Sequence, residues 1–278
     1  MPIRCGGRPP SMLRVRGRTV SRTWPDDEQH RRIVLAPRSD LVAERVDGAD
    51  RFVQDIGPFE QYERTIVLEP GALVETTTYR LTIPWFSLLF ALPVRWALQR
   101  RGTIHRTKPP WWAPPDRIDA RRALILGLLA AASMSAAFTN TLFTQTAQFA
   151  ADDFGVGDTG FGNAMSLVRA GIVIALPLAA LADRVGRQRV MRVVAWVAPS
   201  VCALGAISPN FSFLVATQSI GRPLGLALDF LVAVVIAEEM PRDSRAYAVS
   251  VMAMASGFGA GIAVMALPLA DLGPDGWR

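Results

Sequence analysis

The chain has 278 residues, a formal charge of +6 and half of its residues hydrophobic. Positive mean hydropathy speaks against an ordinary soluble domain. The cations gather in an Arg-rich N-terminal region and in short loops, a membrane-topology distribution rather than a nucleic-acid-binding one.

Residues 1–50 are rich in Arg, Pro and Asp and poor in aromatics, which predicts a disordered tail. Its cluster Arg14, Arg16, Arg18 and Arg22 reads either as a solvated charge run or as a contact to anionic lipid. Tyr62 to Leu68 and Leu73 to Ile83 are β-branched and aromatic, with Glu69-Pro70-Gly71-Ala72 between them, so a β-hairpin is expected over 62–83. Leu81 to Val94 is uncharged but too short to span, and Pro84 and Pro93 interrupt it. With Trp85 and Trp96 it predicts an interfacial helix over 81–98. Arg100, Arg101, Arg106 and Lys108 place the next loop on the cytoplasmic side, and Pro109 to Pro115, with Trp111 and Trp112, reads as a semi-rigid spacer. Residues 51–118 thus form a small cytoplasmic region.

The pattern changes at residue 119. Apolar spans are predicted over 123–151, 160–182, 190–208, 211–238 and 246–270. Arg117, Arg121 and Arg122 precede the first. Asp152, Asp153 and Asp158 follow it. Arg184, Arg187, Arg189 and Arg192 follow the second, and Arg242 and Arg245 follow the fourth. The alternation puts the N-terminus inside and the end of the fifth span outside. Cys5 and Cys202 lie far apart and His30 and His105 are isolated, so neither a disulfide nor a metal framework is expected.

The loop after the second span reads Leu181-Ala182-Asp183-Arg184-Val185-Gly186-Arg187-Gln188-Arg189. It resembles the G-x-L-A-D-R-x-G-R-[KR] loop between helices 2 and 3 of the major facilitator superfamily. Ala179 stands in place of the first Gly and Gln188 in place of the final Lys or Arg. The resemblance covers residues 120–278 and implies an all-α membrane protein: the first five helices of a twelve-helix bundle, with the missing C-terminal half needed for a complete transporter. The terminal Gly276-Trp277-Arg278 is similar to a segment that leads into helix 6 in that family. Glu238 and Arg245 match an E-x6-R pattern of sugar-porter-type members. With Asp183, Arg184, Gly186 and Arg187 they are the expected cytoplasmic gate. The fifth span lacks the antiporter pattern, although Gly257-x-x-x-Gly261 allows close helix approach.

Charges inside spans are costly in lipid and call for a partner or a water-filled cavity. Arg169 lies about ten residues, or roughly 15 Å, below the outer end of the second span. Arg222 sits at similar depth in the fourth, and Asp229 follows nearly two turns later on the same face. Asn140, Thr144 and Gln148 make a polar stripe on the first span. One reading makes Asn140, Arg169, Arg222 and Asp229 a solute site, with two cations to one anion favouring an anionic solute. The other makes the charges a structural network. The family resemblance implies secondary active transport across the plasma membrane by alternating access, without a cofactor and open to ion or proton coupling. The competing class is a non-transporting membrane anchor that presents residues 51–118 to lipid or to a partner.

Overall fold

The computed structural model describes residues 17–83, 87–100, 109–273 and 276–277. Residues 1–16, Pro84, Trp85, Arg101, Arg106 and Lys108, all invoked above, lie outside them. The chain divides into two compact units, Met1–Leu124 and Ile125–Arg278.

The first unit is a five-stranded antiparallel sheet in the order β1-β5-β4-β3-β2. Its strands are β1 (Arg18–Pro25), β2 (Ala43–Val46), β3 (Arg51–Ile56), β4 (Phe59–Glu69) and β5 (Ala72–Leu81), with the helices α1 (Glu28–Val34) and α2 (Ser87–Gln99). The expected hairpin is β4–β5, and Gly71 at its turn has a φ of 80°, the left-handed region that glycine enters freely.

The expectation of a disordered tail through residue 50 is overturned for residues 18–50. β1 pairs with β5 along its whole length, Val20 opposite Thr77 and Trp24 opposite Leu73. Trp24 and Val34 then close a core with Phe52, Ile66 and Leu73. Few apolar residues suffice here because each is placed on the covered face. α2 closes the other half of that face, with Val94, Ala97 and Leu98 against Val20, Phe59, Tyr62 and Tyr79. The Pro/Trp segment is also more than a spacer: Ala113 is buried in this cluster and Trp112 packs on it, while Trp111 stays exposed.

The buried face carries a charge network. Arg64 is fully buried. It donates to both carboxylate oxygens of Glu44 at 2.9 and 2.7 Å, to Glu75 at 3.4 Å and to the carbonyls of Val34 and Ala36. Tyr62 donates to Glu44 at 2.6 Å, and the indole of Trp24 to Glu75 at 2.9 Å. Burial pushes the Glu44 carboxyl up, but the hydrogen bond and charge of Arg64 hold it below the usual carboxylate range. Burial, then the Glu44 charge, pushes the Tyr62 hydroxyl well above its ordinary value. Buried Arg38 pairs with Asp40 at 2.8 Å and donates to the carbonyls of Ala97 and Leu98, capping the end of α2.

The second unit is helical: α3 (Ala120–Asp153), α4 (Asp158–Ala170), α5 (Ile172–Val185), α6 (Arg187–Ala203), α7 (Phe211–Glu239) and α8 (Arg245–Met265). α4 and α5 form one segment with a break at Gly171, so five helical segments among the described residues are long and apolar enough to cross a membrane. They match the five predicted spans. Large apolar side chains such as Val173, Leu176, Trp196, Ile220 and Met254 point outward, as a lipid-facing surface requires and a water-facing one does not. Small residues let the helices approach. A Cβ on Gly259 would collide with the carbonyl oxygen of Met134 in α3. The expected close contact at Gly257 and Gly261 is not found: both face open space, and Gly259 between them carries the contact. The buried stripe Ala248, Met252, Ala255, Gly259 and Ala263 follows helical periodicity, which selects 259.

Candidate solute site and gate

Arg222 lies inside α7, next to Pro223. Its Nε donates to Asn140 Oδ1 at 3.3 Å, and its Nη2 to Thr144 Oγ1 at 3.2 Å. Asn140 and Thr144 are one turn apart on α3, so one guanidinium reaches both. The Phe143 ring lies 5.4 Å from its central carbon. Two turns along α7, Asp229 accepts from Ser133 Oγ of α3 at 3.3 Å.

Ser133 carried no weight in the sequence reading, yet a signal existed. The step from Ser133 to Asn140 equals the step from Arg222 to Asp229, which is what two antiparallel helices facing each other need. Arg222 and Asp229 therefore both turn to α3, but they do not pair with each other. Among the described residues neither makes an ion pair, and each is met by neutral oxygen-bearing side chains.

A small interhelical void of about 10 Å³, room for about one water molecule, adjoins Asn140 and is lined by Ser135, Thr139, Cys202, Gly221 and Gly225 among others. Gly221 and Gly225 leave α7 without a side chain there, and Asn140 Nδ2 would lie 3.6 Å from a Cβ on Gly225.

Arg169 is exposed near the end of α4. Gly171, two residues on, packs against Pro223, where a Cβ would meet its Cγ at 2.9 Å. That contact sets Arg169 at the level of Arg222. Gln148, one turn beyond Thr144 on α3, donates to Asp152 at 3.0 Å and makes no bond to Arg222.

The second cluster lies at one end of the helices. Gly186 alone separates α5 from α6, at φ 107°, a turn that an L-side chain would strain. The tight reversal projects Arg187 back onto Asp183, Nε to Oδ1 at 2.7 Å. Its Nη1 donates to Glu238 at the end of α7. Arg187 therefore straps the α5–α6 turn to α7. Arg184 is exposed beside it. Arg245 does not join: its Nε donates to the Met240 carbonyl at 3.4 Å, because the turn between α7 and α8 aims it at its own backbone. The E-x6-R pair thus brings Glu238, but not Arg245, to the cluster.

Trp277 donates to Asp153 at 3.3 Å and stacks edge-on with Phe154, so the α3–α4 loop and residue 277 share the opposite end of the bundle. Compared with protein-family models, curated proteins and solved structures, the chain matches none.

Proposed function

We propose that the helical unit is the N-terminal helical part of a secondary transporter of the major facilitator type, with the N-terminus cytoplasmic and the spans in the plasma membrane. It moves a small, preferentially anionic solute by alternating access, and a second helical half completes the path. The observation that carries the reading is Arg222: a guanidinium deep in a span, held between neutral Asn140 and Thr144 and, among the described residues, paired with no anion. A cation so placed keeps charge to offer to a ligand. Arg169 adds positive charge at the same level, and Asp229 with Ser133 lies toward the gate. The strap from Asp183 through Arg187 to Glu238 holds one end shut, and opening that end breaks it. The reading calls for no cofactor and is open to ion or proton coupling.

Uptake of radiolabelled small organic anions by cells expressing the full-length gene tests this. Saturable uptake should appear with the native protein and vanish with Arg222→Ala at equal membrane abundance. Uptake of every anion at the vector level would instead favour the anchor reading, to which the first unit's independent core lends support.

A further inference from the structure

α2 has two unlike faces. At 100° per residue, Leu88, Leu89, Leu92 and Trp96 fall on one side, and Val94, Ala97 and Leu98 on the other. The second set is buried against the sheet. The first set is exposed: Leu88 is 77%, Leu92 75%, Leu89 65% and Trp96 49% accessible. Three leucines and a tryptophan on one short helix form an apolar ridge that water does not favour.

The ridge has company of one sign. α2 contains no acidic residue, and Arg95 is exposed at the edge of the ridge. Arg100 stacks on the Trp96 ring with its central carbon 3.4 Å from the centroid, so an aromatic–cation pair ends the ridge. Trp111, 93% exposed, precedes Trp112, whose side chain packs on the same core cluster. The other face of the sheet is of different character. Thr19 meets Thr78 there, and Ser21 meets Thr76, a hydroxyl surface suited to water.

We propose that α2 docks the first unit onto anionic lipid headgroups, with Leu88, Leu89, Leu92 and Trp96 entering the boundary and Arg95 and Arg100 meeting phosphates. Charge complementarity selects the occupant: an apolar ridge on a helix without acidic residues, with Arg95 at its edge and Arg100 at its end, fits an anionic lipid surface. Chain continuity supplies it, since α2 ends at Gln99 and the first span begins at Ala120. A tether that short keeps a bilayer at high effective concentration, so even a modest ridge stays engaged. The inference stands independently of the transport reading, because it needs only that the helical segments lie in a membrane.

Spin labels on the full-length chain test it. In a background with Cys5→Ser and Cys202→Ala, Leu88→Cys and Leu92→Cys are labelled singly, with Val67→Cys on an exposed strand position as the water reference. Each is reconstituted in phosphatidylglycerol or phosphatidylcholine vesicles. Collision with oxygen and with a water-soluble nickel chelate is then compared. The oxygen-to-nickel ratio at 88 and 92 should exceed that at 67 severalfold in phosphatidylglycerol. It should fall toward the reference in phosphatidylcholine, and also with Arg95→Gln/Arg100→Gln in phosphatidylglycerol. A ratio equal to the reference in both lipids overturns the docking. Low access to both reagents shows that protein covers the ridge and also overturns it. A high ratio equal in both lipids rejects the anionic headgroup as the partner.

Discussion

The two units bury arginine in opposite ways. Arg64 in the sheet is enclosed by two carboxylates and two carbonyls, so its charge is spent inside the fold. Arg222 in the spans meets an amide oxygen and a hydroxyl, so its charge is hydrogen-bonded but not neutralised. The first arrangement fixes a structure, since a buried cation with matched anions has nothing left to recognise. The second leaves a field in a low-dielectric place, which is the usual mark of a binding group in a membrane helix. The contrast makes the transport reading a claim about which arginine is dispensable for folding.

The largest effect on stability is expected at Arg64. Arg64→Ala leaves Glu44 and Glu75 buried without their cation, a change that costs about 3–5 kcal/mol. Hydrogen exchange on the full-length chain should show β4 and β5 losing protection while the five helices keep theirs. Full protection of β4 in this variant would mean that the enclosed charge is not what holds the sheet.

The pH dependence of the same network comes next. Burial acts to raise the Glu44 carboxyl, and Arg64 overcomes it and holds the group below the usual carboxylate range. Its folded value is below the unfolded one of about 4.3, so its contribution is complete above that pH and is lost as pH falls through the folded value. Tyr62 moves the other way, by burial and then by Glu44. Its contribution is complete below about 10 and is lost as pH rises through the folded value. A tenfold difference in proton affinity between the folded and unfolded chain corresponds to about 1.4 kcal/mol. Thermal unfolding of the sheet should therefore be steepest in pH below about 4 and above about 10. A flat profile through acid would break the comparison, because Arg64 would then gain nothing from an ionised Glu44.

Arg222→Ala should do the reverse of Arg64→Ala. It removes two interhelical hydrogen bonds, worth about 1 kcal/mol together, and leaves no orphaned anion behind. Melting of the helical unit should move little while anion uptake is lost. Equal losses of melting temperature in Arg222→Ala and Asp229→Asn, recovered in the double variant, would return both residues to a structural role.

The helical unit was legible in the sequence because a span writes itself locally: an uncharged run of the right length, ended by charge. The β4–β5 hairpin was legible for a related reason, since alternation and a Pro-Gly turn lie within one stretch. β1 was not, because its partner β5 lies some fifty residues away and its own composition is that of a solvated tail. Arg64 and Arg38 carried no signal of burial, since nothing near them in sequence announces Glu44 or the end of α2. At the site, depth located Arg222 and Asp229, but only the antiparallel facing of α3 and α7 brought in Ser133 and gave Asn140 and Thr144 their partner. The loop motif located Asp183, Gly186 and Arg187. Which of Glu238 and Arg245 joins it depended on how the α7–α8 turn aims each side chain.

The smallest expected effect on stability, and the sharpest on mechanism, is at that gate. Arg187 bonds to Asp183 and Glu238 through side chains that are partly or largely exposed, and such pairs contribute only about 0–1 kcal/mol. Folding should barely register Arg187→Ala or Asp183→Asn. An equilibrium between two conformations of similar energy registers it fully, because about 1 kcal/mol is roughly a fivefold change in their ratio. Both variants should therefore lower the maximal uptake rate while leaving the half-saturating solute concentration near its native value. Arg245→Ala, which removes only a bond to the Met240 carbonyl, should lower the rate least of the three. Unchanged rates in Arg187→Ala and Asp183→Asn at equal membrane abundance would reduce the strap to an ordinary surface ion pair. A loss of affinity in either would instead mean that this end of the bundle touches the solute, and the separation of gate from site along α7 would have to be redrawn.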